Sequence, residues 1–295
     1  EILKDISGIS DELFFHATAQ LNHYGFLPDT DFLSFEYGAM PKALVRTLLS
    51  ETITSRETLI APLLHPSPDA SFTLDDFPHV NTALLSQYLT AASKSRQSGA
   101  SILLYGASGT GKTELSRTLA KYCDRTLYEI RSTALASNFS EDEFNSRFPN
   151  KERLRYLALL QSLLTCKADA MLLVDECESL FDCADSQYSK EHLQRFIEQN
   201  EIPCIWITNH IQYLEPSFIR RFKLVLEVPT LRAEEIEQIT RPYYHGLSVS
   251  SSARKMISQT ENITPAIVAN ATHVAHAVNA KRARAEAVIG QVVET

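Results

Sequence analysis

The sequence predicts an α/β fold in which a parallel sheet is covered by helices on both faces. Short apolar runs alternate with longer stretches of helical periodicity, and after Leu231 only the helical patterns remain. Apolar runs this short are typical of strands that are buried on both faces. The five runs are Ser101–Tyr105, Thr126–Arg131, Met171–Val174, Cys204–Thr208 and Lys223–Val228.

The segments on either side of the predicted sheet have a different pattern. Residues 1–75 contain amphipathic helical stretches such as Asp11–Leu21 and end near the proline-containing turn Leu64–Asp69. Beyond the sheet, Thr264 and Pro265 are the residue types of a helix N-cap and a first helical position. We therefore expect an N-terminal helical region at 1–75, a sheet-containing subdomain at 76–229 and a small helical subdomain at 230–295.

Composition excludes several classes of protein. The chain has 295 residues, of which 44% are hydrophobic, and a formal net charge of −8. It is not collagen-like or disordered, and no apolar run reaches the roughly 18–20 residues of a membrane-spanning helix. The acidic balance argues against general nucleic-acid binding, although it is compatible with a local basic patch.

The cysteines and the first residues bear on the compartment. The 5 cysteines form no C-x-x-C pair and no zinc-ligand spacing, and their odd number favours reduced thiols. The chain starts Glu-Ile-Leu-Lys-Asp, without an initiator Met or the basic and apolar regions of a signal peptide. We expect a cytoplasmic protein, and a sequence that is one piece of a longer chain.

Glycine is concentrated at one place. Only 9 residues are glycine, yet Gly106, Gly109 and Gly111 fall together in Gly-Ala-Ser-Gly-Thr-Gly-Lys-Thr, between a predicted strand and a predicted helix. In this pattern the backbone N–H groups surround phosphates, Lys112 reaches the β- and γ-phosphates, and Thr113 ligates Mg²⁺. The structural alternative is a chance glycine turn before a helix. The pattern indicates a nucleotide-phosphate site.

Two further predicted strands end in polar residues. Asp175 and Glu176 follow Met171–Val174, and Asn209 follows Cys204–Thr208. The carboxyl ends of parallel strands meet at one edge of the sheet, which predicts that these side chains lie near the glycine-rich loop. Asp175 is suited to the Mg²⁺ shell, Glu176 to general-base activation of water, and Asn209 to orienting that water. The alternatives are a helix cap for the carboxylates and a simple turn for the amide.

A pair of arginines follows in Ser-Phe-Ile-Arg-Arg-Phe. Arg220 and Arg221 lie between apolar residues. A surface ion-pair site is one interpretation. The other is a guanidinium that reaches a γ-phosphate across a subunit boundary, because the planar fork of arginine matches phosphate oxygens.

These motifs, in this order, resemble Walker A, Walker B, sensor 1 and the arginine-finger segment of the AAA ATPases in the AAA+ superfamily. The stretches Leu172–Phe181 and Ile205–Val228 are similar to a group of largely uncharacterised bacterial AAA ATPases. The resemblance covers residues 76–295. It implies a P-loop αβα sandwich with a five-stranded parallel sheet, a four-helix lid, ATP and Mg²⁺ as ligands, and assembly into a ring of identical subunits, usually a hexamer.

The resemblance also assigns roles to individual residues. The Asp75–Val80 stretch falls where such proteins contact adenine, so Phe77, Pro78 and Val80 are candidates, with core packing as the alternative. The implied catalytic residues are Lys112, Glu176, Asn209, Arg220 and Arg221, and the implied metal ligands are Thr113 and Asp175. The implied nucleotide contacts are Gly106, Ala107, Ser108, Gly109, Thr110, Gly111, Lys112, Thr113, Glu114, Phe77, Pro78 and Pro265.

Two departures from the family pattern limit the functional expectation. The start of the helix at Thr264 carries no sensor 2 arginine, which fits the AAA clade. Ser137–Glu143 contains an aromatic, Phe139, but lacks the glycine of a substrate-threading pore loop, which argues against polypeptide threading. We expect a Mg²⁺-dependent ATPase that remodels an unidentified protein partner. The alternatives are a nucleotide-gated signalling or defence scaffold and an AAA+ DNA-processing factor.

Overall fold

The five predicted runs form one parallel sheet in the computed structural model, which describes residues 64–95, 98–130, 149–165, 167–181 and 187–293. The strand order is β2-β3-β4-β1-β5, and each neighbouring pair is parallel. The strands are β1 (Ser101–Tyr105), β2 (Thr126–Ile130), β3 (Ala170–Val174), β4 (Cys204–Thr208) and β5 (Leu224–Glu227). The predicted α/β class is confirmed, and each strand boundary lies within one residue of its prediction.

Successive residues of the strands pack into two different cores, because side chains alternate between the faces of a sheet. One core contains Leu172, Val174 and Trp206, and the other contains Leu173 and Ile205. All five residues of β3 and all five of β4 are buried, as expected for central strands covered on both faces. The edge strand β5 alternates between partly buried and exposed residues.

Helices cover both faces of the sheet. One face packs against α1 (Thr82–Ser95) and α2 (Lys112–Tyr122) through Leu85, Leu89, Leu115 and Leu119. The other packs against α3 (Pro149–Leu164), α4 (Glu178–Phe181), α5 (Gln187–Gln199) and α6 (Pro216–Ile219). A 3₁₀ turn at Leu74–Asp76 precedes α1, and a second at Ile211–Tyr213 follows β4.

The chain after the sheet is helical, as the loss of apolar runs predicts. It contains α7 (Ala233–Thr240), a 3₁₀ turn at Arg241–Tyr244, α8 (Ser251–Ser258), α9 (Pro265–Ala277) and α10 (Ala283–Val293). These helices enclose a separate apolar core. Thr264 caps α9 by accepting a hydrogen bond from the Ile267 N–H at 3.3 Å, and Pro265 is the first helical residue, as predicted.

Two predicted features lie outside the described residues. These are most of the N-terminal helical region at 1–75 and the Ser137–Glu143 segment with Phe139. The three-part division of the chain stays a prediction. In the described ranges, Cys123, Cys177 and Cys204 are free thiols. Among the helices of these ranges, none combines the length and the apolar character needed to cross a membrane.

Candidate active site

The predicted polar residues meet at one edge of the sheet, because β4 lies between β1 and β3. Gly106 follows β1, Asp175 and Glu176 follow β3, and Asn209 follows β4. This edge opens into a cavity of about 400 Å³, a size typical of small-molecule sites. The helical part of the chain after the sheet, residues 233–293, also contributes to the cavity wall, through Pro265 and Ala266 at the start of α9.

The loop at residues 106–113, here the phosphate loop, needs its glycines for backbone conformation. Gly106, Gly109 and Gly111 all have positive φ, at 149°, 80° and 89°. Space is also restricted, since a Cβ on Gly109 would lie 2.9 Å from the side chain of Thr264 at the start of α9. The glycines therefore let the loop wrap tightly and lie directly against the helical segment.

Replacement of Gly106 by alanine is expected to destabilise the protein. The added Cβ would overlap the carbonyl oxygen of Val228, and the backbone has a positive φ. We expect the free energy of unfolding to fall by roughly 2 kcal/mol or more, measured by denaturant titration. Gly290 is the matched control because it lies in α10 with open space around its Cβ position. Gly290→Ala is expected to raise the free energy of unfolding by about 0.5–1 kcal/mol. Equal effects of the two substitutions would contradict this account.

Lys112 is held inside the phosphate loop. It is 5% exposed, and its Nζ donates hydrogen bonds to the carbonyl oxygens of Gly106 at 2.8 Å and Ala107 at 2.7 Å. Burial lowers the pKa of the Lys112 ammonium, while the charges of Asp175 and Glu178 act in the opposite direction. The ammonium is therefore held in the wall of the cavity by the carbonyl groups of the loop itself.

Thr113 and Asp175 join the two halves of the expected metal site. The Thr113 hydroxyl donates to Asp175 Oδ2 at 2.9 Å, so a hydroxyl oxygen and a carboxylate lie side by side at the cavity wall. No cluster of three His, Cys, Asp or Glu side chains suited to a metal occurs in the described ranges. Mg²⁺ does not need one, because it binds through one or two protein oxygens together with phosphates and water. The donor set therefore fits Mg²⁺ bound jointly with a nucleotide.

Glu176 has an unusual backbone conformation. Its φ is 47°, which a residue other than glycine rarely adopts, and its N–H donates to Oδ1 of the preceding Asp175 at 2.9 Å. The Glu176 side chain is exposed and lines the cavity together with Asn209. A carboxylate and an amide thus face the space next to the phosphate loop.

The opposite end of the cavity is largely apolar. Phe72 packs edge-on against Phe77 and Tyr243, with ring centroids 6.1 and 6.2 Å apart. Of the three predicted adenine contacts, Phe77 lines the cavity, Pro78 is exposed and outside its lining, and Val80 is buried in the core beneath the sheet. An apolar wall with aromatic rings suits a planar base.

His79 is the polar residue of this apolar end. Both of its ring nitrogens are buried without a hydrogen-bond partner among the described residues. Burial lowers the pKa of His79, against the opposing charge of Glu235. The imidazole is therefore favoured in its neutral form, with one donor and one acceptor nitrogen.

The structure brings together most of the predicted site, and the phosphate loop from Ser108 onward lines the cavity with Glu114. Gly106 and Ala107 contribute through the carbonyl groups that hold Lys112. Sequence reasoning missed several wall residues: Phe72, His79, Arg117, Ile207, Leu231, Ile239, Tyr243 and Ala266. These come from separate elements and share no spacing pattern. Only the position of His79 between Phe77 and Val80 could have indicated it.

The two arginines have different environments, and neither lines the cavity. Arg221 is half-buried and forms an ion pair with Glu198 of α5, which matches the ion-pair interpretation. Arg220 is exposed, and its side chain has no hydrogen-bond or ion-pair partner among the described residues. Of the pair, Arg220 is the side chain available to a second molecule.

Comparison with known proteins gives the same assignment. Residues 102–230 match the model of the ATPase family associated with various cellular activities (AAA). The chain is 26% identical over 188 residues to the proteasome-activating nucleotidase of Sulfurisphaera tokodaii, with 57% of this chain and 45% of the relative covered. It is 24% identical over 172 residues to fidgetin-like protein 1 of Drosophila melanogaster, covering 54% and 31%. The chain thus spans less than half the length of these relatives.

Solved structures show the same fold. The FIGL-1 AAA domain in complex with ADP has a TM-score of 0.59 at 18% identity, covering 82% of this chain and 92% of that one. A katanin structure that describes self-assembly has a TM-score of 0.59 at 16% identity, covering 83% and 92%. The expected sequence similarity to a group of largely uncharacterised bacterial AAA ATPases stays a prediction. Residues 102–230 thus match the AAA family model, and the chain shares the fold of solved AAA domains.

Proposed function

We propose that this chain binds ATP with Mg²⁺ in the cavity and hydrolyses it. The observation that carries the proposal is the hydrogen bond between Thr113 and Asp175, at 2.9 Å. It joins the phosphate loop to the carboxyl end of β3, where Glu176 follows. Phosphate binding and a general base are thus brought to the same cavity wall.

Each residue then has a distinct role. Lys112 and the loop N–H groups neutralise and orient the phosphates, and Thr113 with Asp175 holds Mg²⁺, which stabilises charge on the transferring phosphoryl group. Glu176 accepts a proton from the attacking water, and Asn209 orients that water. The apolar end with Phe77 and Tyr243 takes the base, and Pro265 contacts the nucleotide from α9.

The proposal is tested by phosphate release from ATP with Mg²⁺ and with excess chelator. We expect steady release that depends on Mg²⁺, and calorimetric binding of ATP to the same protein. Binding without any release, at protein concentrations high enough for assembly, would contradict hydrolysis. Equal release with chelator would contradict the role of Thr113 and Asp175.

We further propose that the chain forms a homo-oligomeric ring, with six subunits as the expected number, in which Arg220 reaches the nucleotide of the neighbouring subunit. The exposed, unpartnered side chain of Arg220 supports this, as does the self-assembly described for the katanin neighbour. Arg221 then acts within its own subunit, where its ion pair with Glu198 of α5 positions the arginine pair after α6.

Arg220→Ala is expected to lower the rate of hydrolysis per subunit by about 10- to 100-fold, the loss of one charge-assisted hydrogen bond to phosphate. ATP binding to the isolated subunit should not change. Arg221→Ala should have the smaller effect, and Arg195→Ala, an exposed arginine of α5, is the matched control. Mixing Arg220→Ala with Lys112→Ala should restore activity above either variant alone, since mixed interfaces pair an intact arginine with an intact loop. No gain on mixing would contradict action between subunits.

The substrate of such a ring is proposed to be a protein. Five relatives carry the name proteasome-activating nucleotidase, and the net charge of −8 makes nucleic acid the weaker candidate. We propose a cytoplasmic location, which the odd number of cysteines, expected to be reduced thiols, supports. Capture of partners by a Glu176→Gln variant held with bound ATP, with nuclease-treated extract as control, would separate protein from nucleic-acid partners.

A further inference from the structure

Arg153 of α3 is a buried arginine outside the predicted site. It is 1% exposed, and its guanidinium lies beneath the carboxyl ends of β2 and β3. Nη1 donates to the Glu176 carbonyl oxygen at 3.0 Å and to Ser179 Oγ at 2.7 Å. Nη2 donates to the Ile130 carbonyl oxygen at 2.9 Å and also to that of Asp175.

This arrangement is costly by itself. Burying a guanidinium has a desolvation cost of several kcal/mol, which a nearby carboxylate normally offsets. No carboxylate lies within ion-pair distance of Arg153 in the described part of the chain, and its Nε has no acceptor there. The charge is stabilised by carbonyl dipoles and by the more distant charges of Glu176, Asp175 and Glu178.

The three carbonyl acceptors, those of Ile130, Asp175 and Glu176, lie where the β2–β3 ladder stops. The last pair in register is Ile130 with Val174, and the chain then turns through Asp175 and Glu176. Beyond that pair the β2–β3 ladder no longer holds the backbone, and Glu176 adopts its positive φ of 47°, before the Cys177 N–H donates to the Ile207 carbonyl oxygen of β4 at 2.9 Å. The planar guanidinium replaces the missing strand contacts with donors in fixed directions, which a lysine ammonium does not provide.

Ser179 strengthens the connection. Its hydroxyl accepts from Arg153 Nη1 and donates to the Glu176 carbonyl oxygen at 3.0 Å. The carbonyl group of Glu176 is therefore held from two sides, directly by the guanidinium and through the serine. Because the peptide group is held, the direction in which the Glu176 side chain leaves the backbone is restricted.

We propose that Arg153 is a positioning residue for hydrolysis: it holds the backbone of Glu176 in its left-handed conformation and thereby aims the carboxylate at the attacking water. The inference rests on the proposed function, because it requires Glu176 to be the general base. Arg153 does not line the cavity and acts through Glu176. It also ties the end of β2 to the same point.

The test compares Arg153→Gln and Arg153→Lys with wild type in ATP hydrolysis. We expect kcat to fall by roughly 10- to 100-fold, as misplacement of a catalytic group by about 1 Å does, with KM for ATP changed less than about threefold. Lysine should not restore kcat, because its ammonium lacks the planar set of donors by which the guanidinium binds several carbonyl groups at once. Arg195→Gln, on the exposed face of α5, is the matched control. Unchanged kcat in a folded Arg153→Gln variant would overturn the inference.

A double variant isolates the route of the effect. If Arg153 acts through Glu176, adding Arg153→Gln to Glu176→Gln should lower the residual rate less than twofold, whereas independent effects would multiply. If Arg153→Gln does not fold, the inference is tested instead by the kcat of the Ser179→Ala variant. It removes one connection and should lower kcat about two- to fivefold with KM unchanged, and no change would overturn the inference. A wild-type protein without ATPase activity would instead overturn the proposed function.

Discussion

Replacing Glu176 by glutamine is expected to lower the rate of ATP hydrolysis by roughly 10²–10⁴-fold, the usual contribution of a general base. Glutamine has nearly the same shape as glutamate but does not accept the proton of the attacking water. The residue lies in the cavity wall beside Asn209 and is exposed, so the substitution creates no buried unpaired group. ATP binding should persist within about threefold of wild type, because the phosphate loop and Thr113 are unchanged.

Two controls separate chemistry from folding. Glu201→Gln makes the same change at an exposed position on the opposite edge of the sheet and should keep wild-type activity. Thermal melting of Glu176→Gln should match wild type. A Glu176→Gln variant that hydrolyses ATP at more than a tenth of the wild-type rate would show that another group is the base.

Replacing Lys112 by alanine is expected to lower hydrolysis by roughly 10²–10³-fold, as does removal of one donor that faces developing charge. Here the loss includes ATP affinity, since the ammonium also binds the phosphates of the ground state. The Lys112 side chain also holds the Gly106 and Ala107 carbonyl groups, so the loop loses its internal support. Phosphate release and calorimetric ATP binding should therefore both fall.

Lys94→Ala is the matched control for Lys112, because Lys94 is an exposed lysine near the end of α1. It should leave binding and hydrolysis unchanged. Retained ATP affinity in Lys112→Ala, together with a wild-type rate, would place the phosphates elsewhere. The difference between the two variants is diagnostic: Glu176→Gln should bind and not cleave, and Lys112→Ala should do neither well.

The sheet is predictable from sequence because each strand lies in a short, mainly apolar run. Central strands such as β3 and β4 have every residue buried, so their runs are uninterrupted and their ends are sharp. Edge strand β5 is shorter than its run Lys223–Val228 by one residue at each end, although Lys223 and Val228 each donate a backbone hydrogen bond to β1, at 3.0 and 2.7 Å. The order of the strands in the sheet, by contrast, depends on which strands pair. The residues of an apolar run do not indicate which strand lies next to it.

The phosphate half of the site is predictable for a different reason. Its residues are contiguous in Gly106–Thr113 or adjacent at a strand end. Short sequence patterns therefore include the residues proposed to bind phosphate and Mg²⁺. The apolar end of the cavity, proposed to take the nucleobase, is formed by Phe72, Leu231, Ile239 and Tyr243, which only tertiary packing brings together. Arg153 belongs with this second group. Its role depends on carbonyl groups of β2 and β3, and backbone acceptors leave no mark in a sequence.

The central claim, that Glu176 drives hydrolysis of ATP held by the phosphate loop, is tested most directly by identifying the bound nucleotide. Wild type and Glu176→Gln are incubated with Mg²⁺ and excess ATP, free nucleotide is removed, and the protein is quenched in acid for chromatography. The account predicts mainly ADP on wild type and mainly intact ATP on Glu176→Gln. Intact ATP on both proteins, or ADP formed at the same rate on both, would contradict it.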